Sequence, residues 1–357
     1  MKLYTLGPVE MYPETLEISS KQIPYFRTPE FSQIVLECES LLKSFAYAEE
    51  DARVVFLTSS GTGAMEAVIM NCFTQDDHVL VIDGGSFGHR FADMCMLHNI
   101  PCEVIKLGTE EALTESHLEP YKDMDLTGMF INVDETSTGQ LYPLEMLAEF
   151  CKTKGMLFVV DAISSFLVDE FRMKDNSIDA AIFSSQKAFA LAPGLSMVVL
   201  SKRMLDRVEK IQSGNLYFDF KEHLKNGERG QTPWTPAVSI VYQLHERLKT
   251  IDRIGLEKVK QNAAEVAADF RKRAEELPAR LPKFPMSNAC TALIFDEIDA
   301  YEVYSVLKEK YDLVVTPNGG DLASIIIRVG HLGNHTIEDN IELIDKMKIV
   351  IGELSSK

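Results

Sequence analysis

Ile178-Asp179-Ala180-Ala181-Ile182-Phe183-Ser184-Ser185-Gln186-Lys187 is the stretch on which the reading of this chain turns. A short apolar run with β character ends in two small hydroxyl residues, and a lysine stands at its exit. Ala188-Phe189-Ala190-Leu191-Ala192-Pro193-Gly194 follows, so Lys187 is set among small and apolar neighbours. A free ammonium is costly to bury. Such a lysine is easier to account for when its amine is condensed with an aldehyde as a Schiff base, which makes it a covalent anchor and later a base. A lysine after a strand is also commonly a solvated loop residue, so the aldehyde's other contacts have to be found elsewhere in the chain.

The run belongs to an alternation. Strands are expected at 54–57, 79–82, 102–106, 129–132, 157–160, 179–183 and 195–200. Helical stretches are expected between most of them, notably at 89–98, 115–121 and 144–154. Short apolar strands alternating with helices predict an α/β fold with a mainly parallel, doubly wound sheet of these seven strands. Ligands of such sheets sit beyond the C-terminal ends of the strands. The candidate residues fall there.

The strand at 53–58 runs directly into Ser59-Ser60-Gly61-Thr62-Gly63-Ala64-Met65-Glu66 and then a helical stretch. A strand, a small-residue turn and a helix N-terminus make an anion cradle from free backbone N–H groups and the helix dipole. Ser60 and Thr62 add hydroxyls, or serve simply as N-caps. The stretch lacks the G-K-[ST] of a Walker loop, and Glu66 stands where a dinucleotide fingerprint wants glycine. After the second strand, Gly84-Gly85-Ser86-Phe87-Gly88 presents an aromatic face between glycines, suited to a flat ligand, although a lone Phe is commonly core. Thr136, in Asp134-Glu135-Thr136-Ser137-Thr138-Gly139, is a donor for a polar ring substituent or part of a plain turn. Asp161 closes the apolar Leu157-Phe158-Val159-Val160. A buried carboxylate needs a partner, and a protonated ring nitrogen would serve, as would a salt bridge.

Residues 1–30 carry Gly7, Pro8, Pro13, Pro24 and Pro29 and read as an irregular arm, with Arg27 near its end. Residues 221–229 read as a charged, mobile-looking loop, and Gln231-Thr232-Pro233-Trp234-Thr235-Pro236 as a rigid corner with the only tryptophan. Two long helical stretches follow, at 237–248 and 256–277. The tail reads as strands at 291–295, 314–315 and 324–329 with helices at 301–310 and 336–351, a smaller α+β domain. The expected division is an arm at 1–30, a large domain at 31–240 and a small domain at 241–357. Arg328, in Arg328-Val329-Gly330-His331-Leu332-Gly333, has the planar fork that grips a carboxylate. His331 and His335 are four apart, but Gly333 lies between them and no metal site is expected.

A chain of 357 residues exceeds one compact core, which also argues for two domains. Its 46% hydrophobic and 25% charged residues are ordinary for a soluble protein. A net charge of −18 disfavours nucleic acid and anionic membranes as partners. Six cysteines without a C-x-x-C pair fit reduced thiols, and no apolar run spans a bilayer, so a cytoplasmic location is expected.

Taken together, the motifs resemble the class V aminotransferases, pyridoxal phosphate enzymes of fold type I, and in particular the alanine/serine–glyoxylate and 2-aminoethylphosphonate–pyruvate aminotransferases. The resemblance covers essentially the whole chain. It rests on Gly7-Pro8, Phe26-Arg27-Thr28-Pro29-Glu30-Phe31, Ser60-Gly61-Thr62-Gly63-Ala64, Glu135-Thr136-Ser137-Thr138-Gly139, Val160-Asp161-Ala162-Ile163-Ser164-Ser165, Ser185-Gln186-Lys187-Ala188 with Pro193-Gly194, and the Arg328–Gly333 segment.

The resemblance implies that pyridoxal 5'-phosphate is the cofactor and that Lys187 binds its aldehyde. Asp161 would pair with the ring nitrogen, Phe87 and Ile163 would pack on the two ring faces, and Thr136 would approach the ring hydroxyl. Ser60, Gly61, Thr62 and Gln186 would bind the phosphate, completed by Thr235 of a second subunit in a homodimer. Thr232 stands where some relatives place a tyrosine, and Thr62 where some place a histidine. Arg328 would hold the substrate carboxylate, and Arg27 would meet a second anionic group. The implied reaction is a ping-pong exchange between small-molecule amino and oxo acids. A cysteine desulfurase or another lyase is the alternative within the same cofactor class. Phe87 and Gln186 replace the histidines of desulfurases, and Cys290, which leads into a strand, suits a structural thiol. A non-catalytic binding protein on the same scaffold is the other alternative.

Overall fold

The computed structural model describes residues 1–356. The chain opens with β1 (Lys2–Tyr4) and α1 (Pro13–Ser19), then α2 (Pro29–Phe45), β2 (Arg53–Leu57) and α3 (Gly61–Cys72). Next come β3 (Val79–Asp83), α4 (Ser86–Leu97), β4 (Cys102–Lys106) and β5 (Gly128–Asn132). A short hairpin of β6 (Asp134–Glu135) and β7 (Gln140–Leu141) leads to α5 (Leu144–Lys154), β8 (Leu157–Asp161), β9 (Ala180–Ser184) and β10 (Ser196–Leu200). After α6 (Lys202–Lys210) and α7 (Phe220–Gly227), two long helices, α8 (Val238–Ile254) and α9 (Leu256–Ala274), lead to the tail. The tail holds β11 (Cys290–Ile294), α10 (Ala300–Tyr311), β12 (Leu313–Pro317), β13 (Ile326–Gly330) and α11 (Ile337–Ser355).

The seven expected strands form one sheet in the order β2-β10-β9-β8-β5-β3-β4. β3, β4, β5, β8 and β9 pair in parallel, and β10 runs antiparallel to both neighbours. Both faces of the sheet are covered, so its central strands are buried from end to end. That is why they read as continuous apolar runs rather than alternating ones. The pleat still divides them: Ala181 and Phe183 face one core, Ala180 and Ile182 the other. Phe166 stacks on Phe183 with centroids 4.0 Å apart. Phe73 meets Phe130 edge-on at 4.7 Å across the opposite face. Each such fully buried Phe contributes about 1.5–3 kcal/mol through burial alone.

A second sheet, β1-β12-β13-β11, packs α9, α10 and α11 around Phe270, Leu307, Leu343 and Met347. β1 lies parallel to β12, with Lys2 opposite Leu313. The arm is therefore not irregular throughout. It begins as a strand of the small sheet and continues into α1. The division placed at residue 240 falls in the first turn of α8.

Two local expectations are corrected. Residues 221–229 are not a loop: Asp219 caps α7 by accepting from the Lys221 N–H (3.0 Å), and Phe220 and His223 are buried beneath it. Residues 115–121 form two 3-10 turns rather than an α-helix, because Pro120 lacks the backbone donor that a continuous ladder needs.

Candidate active site

The C-terminal ends of β2, β3, β5, β8 and β9 converge on a cavity of about 220 Å3. It is lined by Gly7, Ser60, Gly61, Thr62, Met65, Phe87, Arg90, Asp134, Thr136, Asp161, Ile163, Ser164, Gln186 and Lys187. Nine residues singled out in the sequence meet here: Ser60, Gly61, Thr62, Phe87, Thr136, Asp161, Ile163, Gln186 and Lys187.

Lys187 leaves β9 on a short turn, and its Nζ makes no hydrogen bond or ion pair among the described residues. It stands 5.6 Å from the centroid of the Phe87 ring. Burial pushes its pKa down, while Asp134 and Asp161 pull the other way. A lysine displaced toward neutrality is one whose amine acts as nucleophile and base. The stem is walled on one side by Gly7. A Cβ at that position would lie 2.8 Å from Lys187 Cδ, and the glycine holds φ at +129°.

Asp161 ends β8 with one oxygen committed: Oδ1 accepts from the Ile163 N–H at 2.8 Å. Burial raises its pKa to about 7, against the pull of that hydrogen bond and of Lys187. Asp134, not singled out in the sequence, lies on the other flank of Lys187. Among the described residues neither of its oxygens has a partner in hydrogen-bond geometry. Burial, reinforced by Asp169 and Glu135, lifts its pKa to about 8, opposed by Ser164 and Lys187.

At the opposite end the N-terminus of α3 opens into the cavity. Ser60 caps it by accepting from the Gly63 N–H (3.4 Å). A Cβ on Gly61 would stand 2.3 Å from Ile163 Cδ1, so any larger residue there would have to displace the Ile163 side chain. Arg90, also missed in the sequence, donates to Thr62 Oγ1 (2.8 Å) and lies 4.9 Å over the Phe87 ring. Helix dipole and guanidinium together make this end attractive to an anion. Gln186 Oε1 accepts from the Ser184 hydroxyl (2.6 Å), which leaves its amide nitrogen as a donor.

Phe87 is fixed from below by Glu135, which is fully buried. Its Oε2 accepts from the Gly88 N–H (2.9 Å) and Asn132 Nδ2 (2.9 Å), and its Oε1 from the Ser137 N–H (3.1 Å) and hydroxyl. Ser137 in turn accepts from the Ser86 N–H (3.1 Å). The β6–β7 hairpin thus holds the first turn of α4 in place.

Arg328 lies on β13 and lines an adjoining hollow of about 430 Å3 that shares Phe87. Nη1 donates to the Thr136 carbonyl (2.9 Å) and Nη2 to that of Pro317 (2.7 Å), while Nε has no partner. Arg27 does not reach the cavity. Its guanidinium is committed to Gln231 Oε1 (3.1 Å) and to the carbonyls of Thr232 (2.8 Å) and Pro233 (3.1 Å), so within this chain it ties the arm to the corner. Thr235 is exposed on that corner and is not among the residues lining the cavity, and Thr232 turns its hydroxyl to the Trp234 carbonyl (2.6 Å). Cys290 is buried in β11, and burial raises its pKa well above the ordinary thiol value. His331 is likewise buried and meets Thr291 Oγ1 at 2.8 Å. Among the described residues no group of three His, Cys, Asp or Glu is placed to hold a metal, and no helix is long and apolar enough to cross a membrane.

Comparison with known proteins agrees with this geometry. The family model for class V aminotransferases matches residues 24–338. An uncharacterized aminotransferase of Helicobacter pylori strain J99 is 28% identical, over 99% of this chain and 95% of its own. The L-aspartate–glyoxylate aminotransferase of Paracoccus denitrificans is 27% identical, over 85% of this chain and 79% of its own. Among solved structures, an aspartate aminotransferase of subgroup IV from Thermus thermophilus superimposes with a TM-score of 0.91 at 28% identity, covering 99% of this chain and all of that one. Members of the matched family are pyridoxal-phosphate-dependent transaminases of fold type I. On the match across most of its length, this chain belongs to the class V aminotransferase family.

Proposed function

We propose that this enzyme moves an amino group from a small amino acid, or from 2-aminoethylphosphonate, to a 2-oxo acid such as pyruvate or glyoxylate, in two half-reactions that share one site. The observation that carries the reading is Lys187 Nζ, an unpaired amine between a buried carboxylate at one end of the cavity and a helix N-terminus at the other. Relatives named for aspartate or serine as donor and glyoxylate as acceptor support the choice of small substrates.

The residues fit pyridoxal 5'-phosphate. Ser60, Gly61, Thr62, Gln186 and Arg90 would hold its phosphate at the start of α3. Asp161 would take its ring nitrogen, Phe87 and Ile163 its two faces, Thr136 its hydroxyl side and Lys187 its aldehyde. When bound, the cofactor supplies an electron sink for the charge left at the substrate's α-carbon. Lys187 is the base in reach of that carbon: burial favours its neutral form, so it takes the proton and holds it for return. Asp161, whose pKa burial raises, is suited to share a proton with a ring nitrogen. Arg328 would hold a substrate carboxylate by turning its fork from the Thr136 and Pro317 carbonyls, because its Nε is sealed as the side chain now lies. Thr235 would reach the phosphate of a partner subunit in a homodimer, which is supported by its exposure and by its not lining its own chain's cavity.

The test is the visible absorption spectrum of the purified protein before and after alanine, serine, aspartate and 2-aminoethylphosphonate. A visible band that one donor converts to near-ultraviolet absorption establishes a half-transamination and identifies the donor. A colourless protein that takes up no pyridoxal phosphate, and behaves identically as Lys187→Ala, sinks the proposal.

A further inference from the structure

A second enclosed hollow, of about 240 Å3, lies between the arm, α8, α9 and the segment after β13. Ala188, the neighbour of Lys187, forms part of its wall. Its central group is Arg247 of α8, only 4% exposed. The guanidinium makes no hydrogen bond and no ion pair among the described residues, and its Nε is sealed from solvent without a partner. Its contact is the face of Tyr12, 3.9 Å from the ring centroid. The Tyr12 hydroxyl is itself spent on the Gly333 carbonyl (3.0 Å). His335 lines the same hollow with its side chain 2% exposed and neither ring nitrogen in hydrogen-bond geometry. The nearest carboxylate oxygen, Asp339 Oδ2, is 3.9 Å from Nδ1 and accepts from the Thr336 N–H (2.8 Å), while Asp339 Oδ1 meets Lys2. Asn262 and Asn334, both exposed, mark where the hollow opens.

A guanidinium taken out of water loses the acceptors that hydrated its N–H groups, and a cation–π contact with one ring face replaces none of them. No other described residue gives Arg247 an acceptor or a counter-charge, and the place where one can enter is the hollow itself. We propose that the hollow is a binding site for a small oxyanion, a phosphate or a carboxylate, held by the Arg247 fork with His335 and the two asparagines as further donors. At roughly 30 Å3 per water the space equals about eight waters, enough for inorganic phosphate or a small dicarboxylate. Bulk attraction does not explain anion binding to a chain of net charge −18, so any saturable binding reports a built site. The ligand would clamp the arm, α8 and the segment after β13 together, because each contributes a wall.

The test is calorimetric titration of protein saturated with pyridoxal phosphate, so that the α3 cradle is filled. Inorganic phosphate and succinate are titrated separately at constant ionic strength set with chloride. The expected result is saturable binding of one or both that survives Arg328→Lys and weakens about tenfold or more in Arg247→Met, the loss of a charge-assisted hydrogen bond. Ala263 of α9 is a wall of the hollow, so Ala263→Leu, which fills it and leaves Arg247 in place, should abolish binding and serves if Arg247→Met does not fold. Which anion binds more tightly distinguishes a phosphate from a carboxylate ligand. No saturable binding, equal binding in Arg247→Met or Ala263→Leu and wild type, or loss on Arg328→Lys overturns the proposal. If the protein takes up no pyridoxal phosphate, the transaminase reading fails, while the Arg247 comparison still decides this one.

Discussion

Gly7→Ala makes the sharpest demand on the site. An added Cβ would stand 2.8 Å from Lys187 Cδ, 3.0 Å from Lys187 Cε and 3.0 Å from the Gln186 carbonyl. Carbon atoms settle at about 3.5–4.0 Å, so the overlap with the lysine stem is at least about 0.7 Å. The backbone adds a second cost, because φ of +129° is a region that residues with a Cβ rarely adopt, typically about 1–3 kcal/mol. The arm is poorly placed to retreat: β1 is paired with β12, and the Leu6 N–H donates to Thr316 Oγ1 (3.0 Å). The lysine stem is flexible and yields first. A displacement of about 1 Å at a reacting group costs on the order of 100-fold in rate. Steady-state kinetics with the donor identified by the absorbance screen should show kcat reduced about 10- to 100-fold with KM little changed. Calorimetry should show Tm lower by a few degrees, at about 2–4 °C per kcal/mol for domains of this size. Wild-type kcat with unchanged Tm would refute the idea that Gly7 is required by the position of Lys187.

Asp134→Asn should change the pH dependence of stability in cofactor-free protein. The folded carboxyl titrates near pH 8 instead of its ordinary 3.8, so between those values the folded chain holds a proton that the unfolded chain has lost. Stability from this group is therefore full below about pH 4 and declines as pH rises to about 8. Melting curves from pH 5 to 8 should fall less steeply for the variant than for wild type, and parallel curves would contradict the assignment. Glu135→Gln places an amide NH2 against two donors in a site where both carboxylate oxygens are saturated. A loss of about 2–4 kcal/mol in denaturant unfolding and at least about tenfold in kcat/KM is expected, with rescue by Asp not expected because the shorter arm cannot span to Gly88. Arg90→Met removes the donor to Thr62 and the cation above Phe87. Cofactor titration should show pyridoxal phosphate affinity reduced about tenfold, with substrate KM nearly unchanged in the saturated enzyme.

The large sheet was legible because its strands are buried on both faces, and an uninterrupted apolar run as short as 157–160 suits a strand covered on both sides better than an amphipathic element. The positions of Lys187, Asp161 and the Ser60–Thr62 turn followed from the same reasoning, since strand ends in such a sheet gather at one edge. Asp134 and Glu135 were hidden by their own chemistry. Adjacent acids in a turn read as solvated, and only packing reveals that both are buried. The available signal was their position just past the mainly apolar run Met129-Phe130-Ile131-Asn132-Val133, much as Asp161 closes its own strand. Arg90 was obscured in the same way on an ordinary-looking helix. α7 carried a periodic trace in Phe220, His223 and Leu224, masked by the charged Lys221 and Glu222 between them. β1 has three residues, too few to show a period, and its partner is set by tertiary structure alone.

That last pairing bears on how the protein is made. Lys2 leaves the ribosome about 310 residues ahead of its partner Leu313. At about 5–20 residues per second the gap is roughly 15–60 s. Throughout it the segment that walls Lys187 lacks the strand that anchors it, so the pocket around Lys187 cannot close until Leu313 has been made. A nascent chain stalled before residue 313 would hold a finished large sheet and still lack one side of its active site.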